Sequence, residues 1–218
     1  MKILVVASTH YQQLFNQKFP NLTVFTTPSP HFFTGNWQEI NLIFDFETND
    51  LEQNLRFYNQ YVHLNVLINS PLKQLASIAP HPTHFALGGF NGLPAFWENS
   101  VMELSVMRDT DKEILDKTLS HFTKDYAWVT DRVGMVTPRV IAMIINEAYY
   151  TLQEGTASRQ DIDTGMKLGT NYPYGPFEWA KKIGLDHVYQ ILEAAYQDTH
   201  DERYRICPLL KTEMLLLQ

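Results

Sequence analysis

His81 and His84, in the segment HPTH, are metal-type ligands standing close together in the chain. A zinc site needs three or four donors, and no third ligand follows them in a metal-binding pattern. Pro82 between them argues for a turn, so both read as solvated loop residues. Cys207 is the single cysteine. Neither a disulfide nor a Cys-based zinc site can form within one chain. Cys207 precedes Pro208 with no charged motif around it, which reads as a buried inert thiol rather than a nucleophile. Phe85, Phe90, Phe96 and Trp97 lie close in sequence. They could line a cleft, but aromatic clusters pack cores and interfaces more often, and packing is the expectation here.

The bulk composition narrows the partners. The chain has 218 residues, 44% hydrophobic and 19% charged, with net charge −7. That suits a packed globular protein of one large domain or two small ones. Nucleic acid and anionic membrane surfaces need clustered Lys and Arg, so neither is expected as a partner. No apolar run is long enough to span a bilayer, and MKILVVAS carries no signal-peptide cleavage pattern. The expectation is a cytoplasmic protein.

The first half alternates strands with helices. Ile3 to Ala7 is a β-branched run of the kind buried in a parallel sheet. A helix is expected from Thr9 to Lys18 and a strand from Leu22 to Thr26. Pro28 to Trp37 reads as loop, and Ile40 to Phe44 as a third strand. Leu51, Leu55, Tyr58 and Tyr61 have helical spacing between Asp50 and Tyr61. Further strands are expected at His63 to Ile68, His84 to Leu87, Met102 to Met107 and Tyr126 to Thr130, with a helix from Asp111 to Phe122. Such alternation implies βαβ units and a parallel sheet.

After Asp131 the texture becomes helical. Pro138 suits a first helical turn. Val140, Met143, Ile144, Glu147, Ala148 and Leu152 follow at helical spacing, and Gly155 is a natural stop. Ser158 is expected to cap a helix with an acidic first turn at Asp161, closed by Gly169. Gly175 and Pro176 open another helix through Trp179. Asp186 is expected to cap a fourth through Tyr196, and Pro208 to Leu217 forms the last.

This helical half resembles the C-terminal domain of the 3-hydroxyacyl-CoA dehydrogenases. The segment DRVGMVTPR from Asp131 to Arg139 matches at Asp131, Gly134 and Arg139, while the family asparagine falls on Pro138. The "NEA" at Asn146 to Ala148, DIDTGMKLG at Asp161 to Gly169 and YPYGPFEW at Tyr172 to Trp179 match in order and spacing. The resemblance is strong over about eighty residues and weak before them. It implies a shortened Rossmann-like doubly wound α/β domain at 1–131 and a helical dimerisation and acyl-CoA domain at 132–218. Trp179, Met143, Tyr149 and Met166 are the candidates for the apolar dimer interface. The short spacing between the second and third strands implies that the family's helical pair there is absent.

The resemblance also locates the chemistry. Family enzymes use a histidine to take the 3-hydroxyl proton while hydride leaves for NAD, and a glutamate orients that histidine. Threading FALGGFNGLP puts Gly88 or Gly89 at the histidine position. Glu103 falls at the glutamate position, and Ser70 lies within one residue of the family serine that contacts the substrate oxygen. Ser70 can equally be read as a helix cap before Pro71. Asp45 ends the third strand beside the expected cofactor site, where a plain strand end or helix cap reads better. A dinucleotide needs glycines after the first strand and an acid at the end of the second. Ala7, Ser8, Thr9, His10 and Tyr11 stand in the first place, and Thr26, Thr27 and Pro28 in the second.

The chain is therefore expected to be a catalytically impaired 3-hydroxyacyl-CoA dehydrogenase homologue, a pseudoenzyme with no cofactor. It would act as a homodimer that binds an acyl-CoA-like ligand or a partner protein, or as a bare scaffold. A local basic patch would suffice to hold CoA phosphates. The alternative is an active NAD-dependent 3-hydroxyacyl-CoA dehydrogenase of fatty-acid metabolism with a rebuilt site, in which His84 could stand in for the missing base.

Overall fold

The computed structural model describes every residue except Thr48, Pro80, His81, Pro82 and Gln218, so His81 lies outside the described residues. The chain divides into two compact units, Met1–Arg132 and Val133–Gln218.

The first unit is a seven-stranded sheet. Its strands are β1 (Ile3–Val6), β2 (Val24–Thr27), β3 (Leu42–Asp45), β4 (Asn65–Asn69), β5 (Ala86–Phe90), β6 (Met102–Val106) and β7 (Tyr126–Trp128). They lie in the order β2-β1-β3-β4-β5-β6-β7. The first five pair in parallel, with Val6 beside both Thr27 and Asp45. β6 breaks the expected parallel run by pairing antiparallel with β5, and β7 then follows β6 in parallel. Residues 91–101 between β5 and β6 hold a single helical turn, whereas a parallel crossover takes a dozen residues or more.

Helices cover both faces, so the sheet is doubly wound. On one face Phe15 of α1 (Thr9–Lys18), Trp97 of the turn α4 (Pro94–Trp97) and Leu115 and Leu119 of α5 (Asp109–Leu119) pack on Val5, Phe44 and Leu104. On the other, α2 (Leu51–Tyr58) and the turn α3 (Leu75–Ile78) pack on Leu4, Ile43 and Val66. Phe85, Phe90, Phe96 and Trp97 are all buried, as packing residues should be. Between β2 and β3 the chain makes two 3-10 turns and no α-helix. The Trp37 ring fills that space by meeting Phe57 and Tyr61 of the α2 segment, with Phe33 packed edge-on against Trp37. The helix α2 ends at Tyr58, so Tyr61 joins this cluster from beyond the helix.

The second unit is all helix: α6 (Thr137–Gln153), α7 (Arg159–Thr170), α8 (Pro176–Ile183), α9 (Leu185–Thr199) and α10 (Pro208–Leu216). Pro138 sits in the first turn of α6, and Ser158 caps α7 by accepting the Asp161 N–H. Gly155 takes φ +73° just past α6, a conformation that glycine adopts without strain. Two expected boundaries move. The helix α7 runs through Gly169 to Thr170 and ends on Asn171 in the left-handed region, because Asn also tolerates that region. Gly184, not Asp186, flanks the start of α9, and Asp186 lies in its first turn. There its charge still favours the positive end of the helix.

The matched motifs are fasteners in this unit. Asn146 is buried on α6, donating to Arg205 O at 2.9 Å and accepting from Cys207 N–H at 2.9 Å. That clasp holds down the segment before α10 and leaves Cys207 buried. Asp163 of α7 accepts the Phe177 N–H at 2.8 Å, and Glu178 accepts the Gly175 N–H at 2.9 Å and pairs with Lys167 at 2.6 Å. A Cβ on Gly175 would lie 2.4 Å from Asp163, so glycine lets the carboxylate reach the N-terminus of α8. Tyr149 is buried within the unit, its ring 5.0 Å from Phe177 and its hydroxyl bonded to Glu213. It is core, which corrects its expected place on a dimer face. Met143 is partly buried against the cluster of Val133, Ala195 and Tyr204.

Candidate functional site

In an open α/β sheet, ligands bind beyond the carboxyl ends of the strands, at the point where the strand order reverses. Here that point lies between β1 and β3. The turn after β1 is committed to the protein itself. Ala7 donates its N–H to Thr27 O at 2.9 Å, and the Gln12 amide holds Ala7 O at 2.8 Å. Tyr11, in the first turn of α1, lays its ring 4.9 Å from Phe46, just past β3. Burial pushes the Tyr11 hydroxyl up, and the Glu47 charge adds to this. At the end of β2 the Thr27 hydroxyl donates to Ser29 O at 2.7 Å. These residues do not fit a dinucleotide. No glycine brings backbone N–H groups to a pyrophosphate, and no carboxylate ends β2 for a ribose.

Asp45 ends β3 fully buried. Its carboxyl accepts from Glu47 N–H, the Asn54 amide and the Tyr58 hydroxyl, at 2.8 to 2.9 Å. It ties β3 to α2 and is therefore more than a plain strand end. Burial raises it to about 7, against the lowering effect of those three hydrogen bonds.

The remaining site candidates gather at the carboxyl end of β4 and β5. Side chains alternate along a strand. On β6, Met102 and Leu104 enter the core beneath α1 and α5, so Glu103 and Ser105 face the other way. The Glu103 carbonyl accepts the Asn91 N–H at 3.1 Å, which sets Glu103 beside the end of β5. Gly88 faces the core, where a Cβ would meet Leu67 at 2.8 Å and Leu115 at 2.9 Å. Gly89 faces the opposite side, where a Cβ would meet Ser70 Oγ at 2.3 Å and Ser105 Oγ at 2.8 Å. Ser70 is not a helix cap. Gln74 flanks the start of α3, and Ser70 is buried against Gly89, because its N–H continues the sheet ladder to Phe90 O.

Three polar residues of this neighbourhood, Asn69, Asn91 and Ser105, escaped the sequence reading, and a fourth, Asp131, was read only as a motif match. Asn69 accepts the Gly92 N–H and Asn91 accepts the Leu93 N–H, so both shape the turn after β5. Ser105 is buried on β6, and Asp131 accepts the Leu75 N–H at the start of α3. Burial raises the Asp131 carboxyl, while the Leu75 and Ala76 N–H groups and the nearby Ser105 hydroxyl work against this. Period-two alternation in MELSV was the available signal for Ser105; the family segment marked Asp131, but not its contact with Leu75.

His84 lies elsewhere. It precedes β5 and is exposed, with its N–H on Asn59 Oδ1 at 2.7 Å. It lines a depression of about 380 Å³ with His63 and Arg108. From His84 to Asn91 the chain runs along the whole of β5, roughly 20 Å at the usual rise per residue. His84 and Glu103 therefore sit at opposite ends of β5. Among the described residues no group of three His, Cys, Asp or Glu side chains could hold a metal ion, and no helix is long and apolar enough to cross a membrane.

In the second unit an apolar groove of about 390 Å³ runs between α6 and α7, lined by Ile144, Ala148, Ile162, Met166 and Pro176 with Glu147 and Asp161 at its sides. None of the twelve residues of α7 is buried, and Leu168 is 82% exposed.

Comparison with known proteins places the chain. The model of the 3-hydroxyacyl-CoA dehydrogenase C-terminal domain matches residues 134–216. The 3-hydroxyadipyl-CoA dehydrogenase of Escherichia coli strain K12 is 49% identical over 88 residues, 40% of this chain and 18% of that protein. The 3-hydroxybutyryl-CoA dehydrogenase of Bradyrhizobium diazoefficiens is 31% identical over 140 residues, 64% of this chain and 48% of that protein. The chain thus matches less than half the length of these curated relatives. Its fold is that of the crystal structure of (S)-3-hydroxybutyryl-CoA dehydrogenase PaaH1 from Ralstonia eutropha, with a TM-score of 0.72 at 19% identity, covering 99% of this chain and 93% of the other. FadB2 of M. tuberculosis superposes with a TM-score of 0.78 at 15% identity, covering 100% and 94%.

Proposed function

The chain belongs to the 3-hydroxyacyl-CoA dehydrogenase family through its helical domain, and from that premise we propose a member impaired in catalysis, a homodimer that binds an acyl-CoA-like ligand or a partner protein. The observation that carries this reading is the lining of Gly88 and Gly89. Oxidation of a 3-hydroxyl needs a base for its proton while hydride departs. Neither β5 position that threading offers for the base has a side chain, and the space at each is taken by Leu67 and Leu115 or by two serine hydroxyls. Loss of a general base alone removes about 10²–10⁴ in rate. Glu103 stands at the position of the family's orienting carboxylate, and Ser70 is turned into the protein. The glycine-free turn at Ala7 removes the usual seat of NAD, so no cofactor is part of this reading. The single buried Cys207 suits a cytoplasmic chain.

The names of the relatives favour a second reading, an active NAD-dependent dehydrogenase with a rebuilt site. The assay is NADH formation from 3-hydroxybutyryl-CoA, with Glu103→Gln and His84→Ala run beside the parent chain. The expected result is no turnover above background in any of the three, with acetoacetyl-CoA still bound. Turnover abolished by either substitution would establish the second reading instead.

A further inference from the structure

The helix α7 carries Ile162, Met166 and Leu168 yet buries none of its residues, and Leu168 stands 82% exposed. Exposed apolar surface of this kind marks a place where another surface docks. Beside it lies a recess of matching character, the groove of about 390 Å³ walled by Ile144 and Ala148 of α6 and Ile162 and Met166 of α7. The projecting leucine and one wall of the recess thus belong to the same helix. That arrangement suits a second copy of the chain, because a two-fold axis gives each protomer both halves of the contact.

The spacing sets the pairing. Two copies of one helix related by a perpendicular two-fold axis run antiparallel. Gly165 lies midway between Ile162 and Leu168. With the axis at Gly165, Leu168 of each copy comes opposite Ile162 of the other, at the groove. A Cβ built on Gly165 meets nothing within 4 Å, so its own protomer has no need of glycine there, and glycine is a poor helix former. A second backbone approaching closely does need it. Charge agrees with this seating. Lys167 adjoins Leu168, and Glu147 and Asp161 flank the groove that receives it. Area sets the extent of the face. The 12 residues of α7 make a helix about 18 Å long, half of whose surface is roughly 300 Å². A stable interface buries about 800 Å² on each partner. The helix alone is too small, so the α6 wall of the groove must take part. We propose that two copies pair antiparallel through α7 about an axis at Gly165, each seating its Leu168 in the groove of the other. This rests on the homodimer proposed above and assigns its face.

Sedimentation equilibrium of the whole chain, beside Leu168→Glu and Gly165→Gln, is the first test. Both positions are open, so the circular dichroism spectrum should not change. Each variant should weaken the dimer about tenfold or more. A disulfide trap is the second test. In Ile162→Cys/Leu168→Cys the two thiols of one chain lie about 9 Å apart along the helix, beyond the reach of a disulfide at about 7 Å. Oxidation should therefore give a covalent dimer, and Leu168→Cys alone should not. A parent dimer that persists undiminished in both variants, with no cross-link in the double cysteine variant, would overturn this face and leave the homodimer standing on another. A parent chain that is monomeric throughout would overturn both.

Discussion

Tyr58 donates its hydroxyl proton to the fully buried Asp45 carboxyl at 2.8 Å, and through that bond α2 is tied to the end of β3. The Asn54 amide and the Glu47 N–H complete the clasp. Burial outweighs all three bonds and lifts Asp45 from 3.8 to about 7. Between those values the folded chain holds a proton that the unfolded chain has released. Stability therefore falls as pH rises from about 4 to 7, by up to about 1.4 kcal/mol per unit from this group. Above 7 the contribution is flat. Urea unfolding midpoints from pH 5 to pH 8 should show a decline that Asp45→Asn removes. The same slope in the variant would show that Asp45 is already charged at pH 5.

The clasp between Asp163 and the start of α8 should be costly to break. Asp163→Ala leaves the Phe177 N–H without its acceptor and removes a favourable charge at a helix N-terminus, an effect of about 0.5–2 kcal/mol. Gly175→Ala should cost more, since its Cβ would lie 2.4 Å from Asp163 and the carboxylate cannot reach with it there. The double variant should be less destabilised than the two singles added together, because the clash and the bond share one partner. Thermal unfolding of the three variants checks this, and strict additivity would contradict the geometry.

Much of this architecture was legible in the residues because it rests on local patterns. A β-branched run marked β1, short apolar stretches marked β3 and β4, and Ser158, Pro138 and Gly155 marked helix ends through their own backbone preferences. The motifs of the helical domain were equally readable, since their chemistry is that of contacts between neighbouring helices. What escaped depends on contacts distant in sequence. The antiparallel turn of β6 follows from a connection too short to cross over. Ser70 reads locally as a cap, yet its partners are Gly89 and Ser105, brought to it by the ladder from β4 through β6. Asp131 carries no local sign that it will meet Leu75. Tyr149 stands on the face of Ala142 and Ile145, three and four residues apart in helical spacing, so its place in the core was legible, and Arg159, Phe177 and Glu213 complete its surroundings.

The helix α7 bears on the oligomeric state. A helix with Ile162, Met166 and Leu168 but no buried residue leaves apolar surface in water. Covering it against a second copy gains about 25 cal/mol per Å², and a two-fold pair buries the same patch twice. Sedimentation at micromolar concentration should therefore give a dimer. Met166→Glu, in the groove between α6 and α7, should shift it to monomer with an unchanged circular dichroism spectrum. A parent chain that sediments only as monomer would refute the homodimer. Substituting Tyr149 is no test of it, since that ring belongs to the core.

The last prediction concerns the dinucleotide. Pyrophosphate binding at a helix N-terminus draws on free backbone N–H groups that glycine lets a ligand approach. Ala7 has already given its N–H to Thr27 O, and Ser8, Thr9 and His10 bring side chains where glycines would stand. Tyr11 lies on Phe46 at the switch point, and Thr27 turns its hydroxyl back into its own loop. Calorimetry with NADH should therefore show binding weaker than millimolar, or none. Tyr11→Ala should not restore it, because the committed Ala7 N–H and the missing acid after β2 remain. Binding in the low micromolar range by the parent chain would mean that the turn has been rebuilt for the cofactor. Tight binding by Tyr11→Ala alone would assign the whole loss to that one ring.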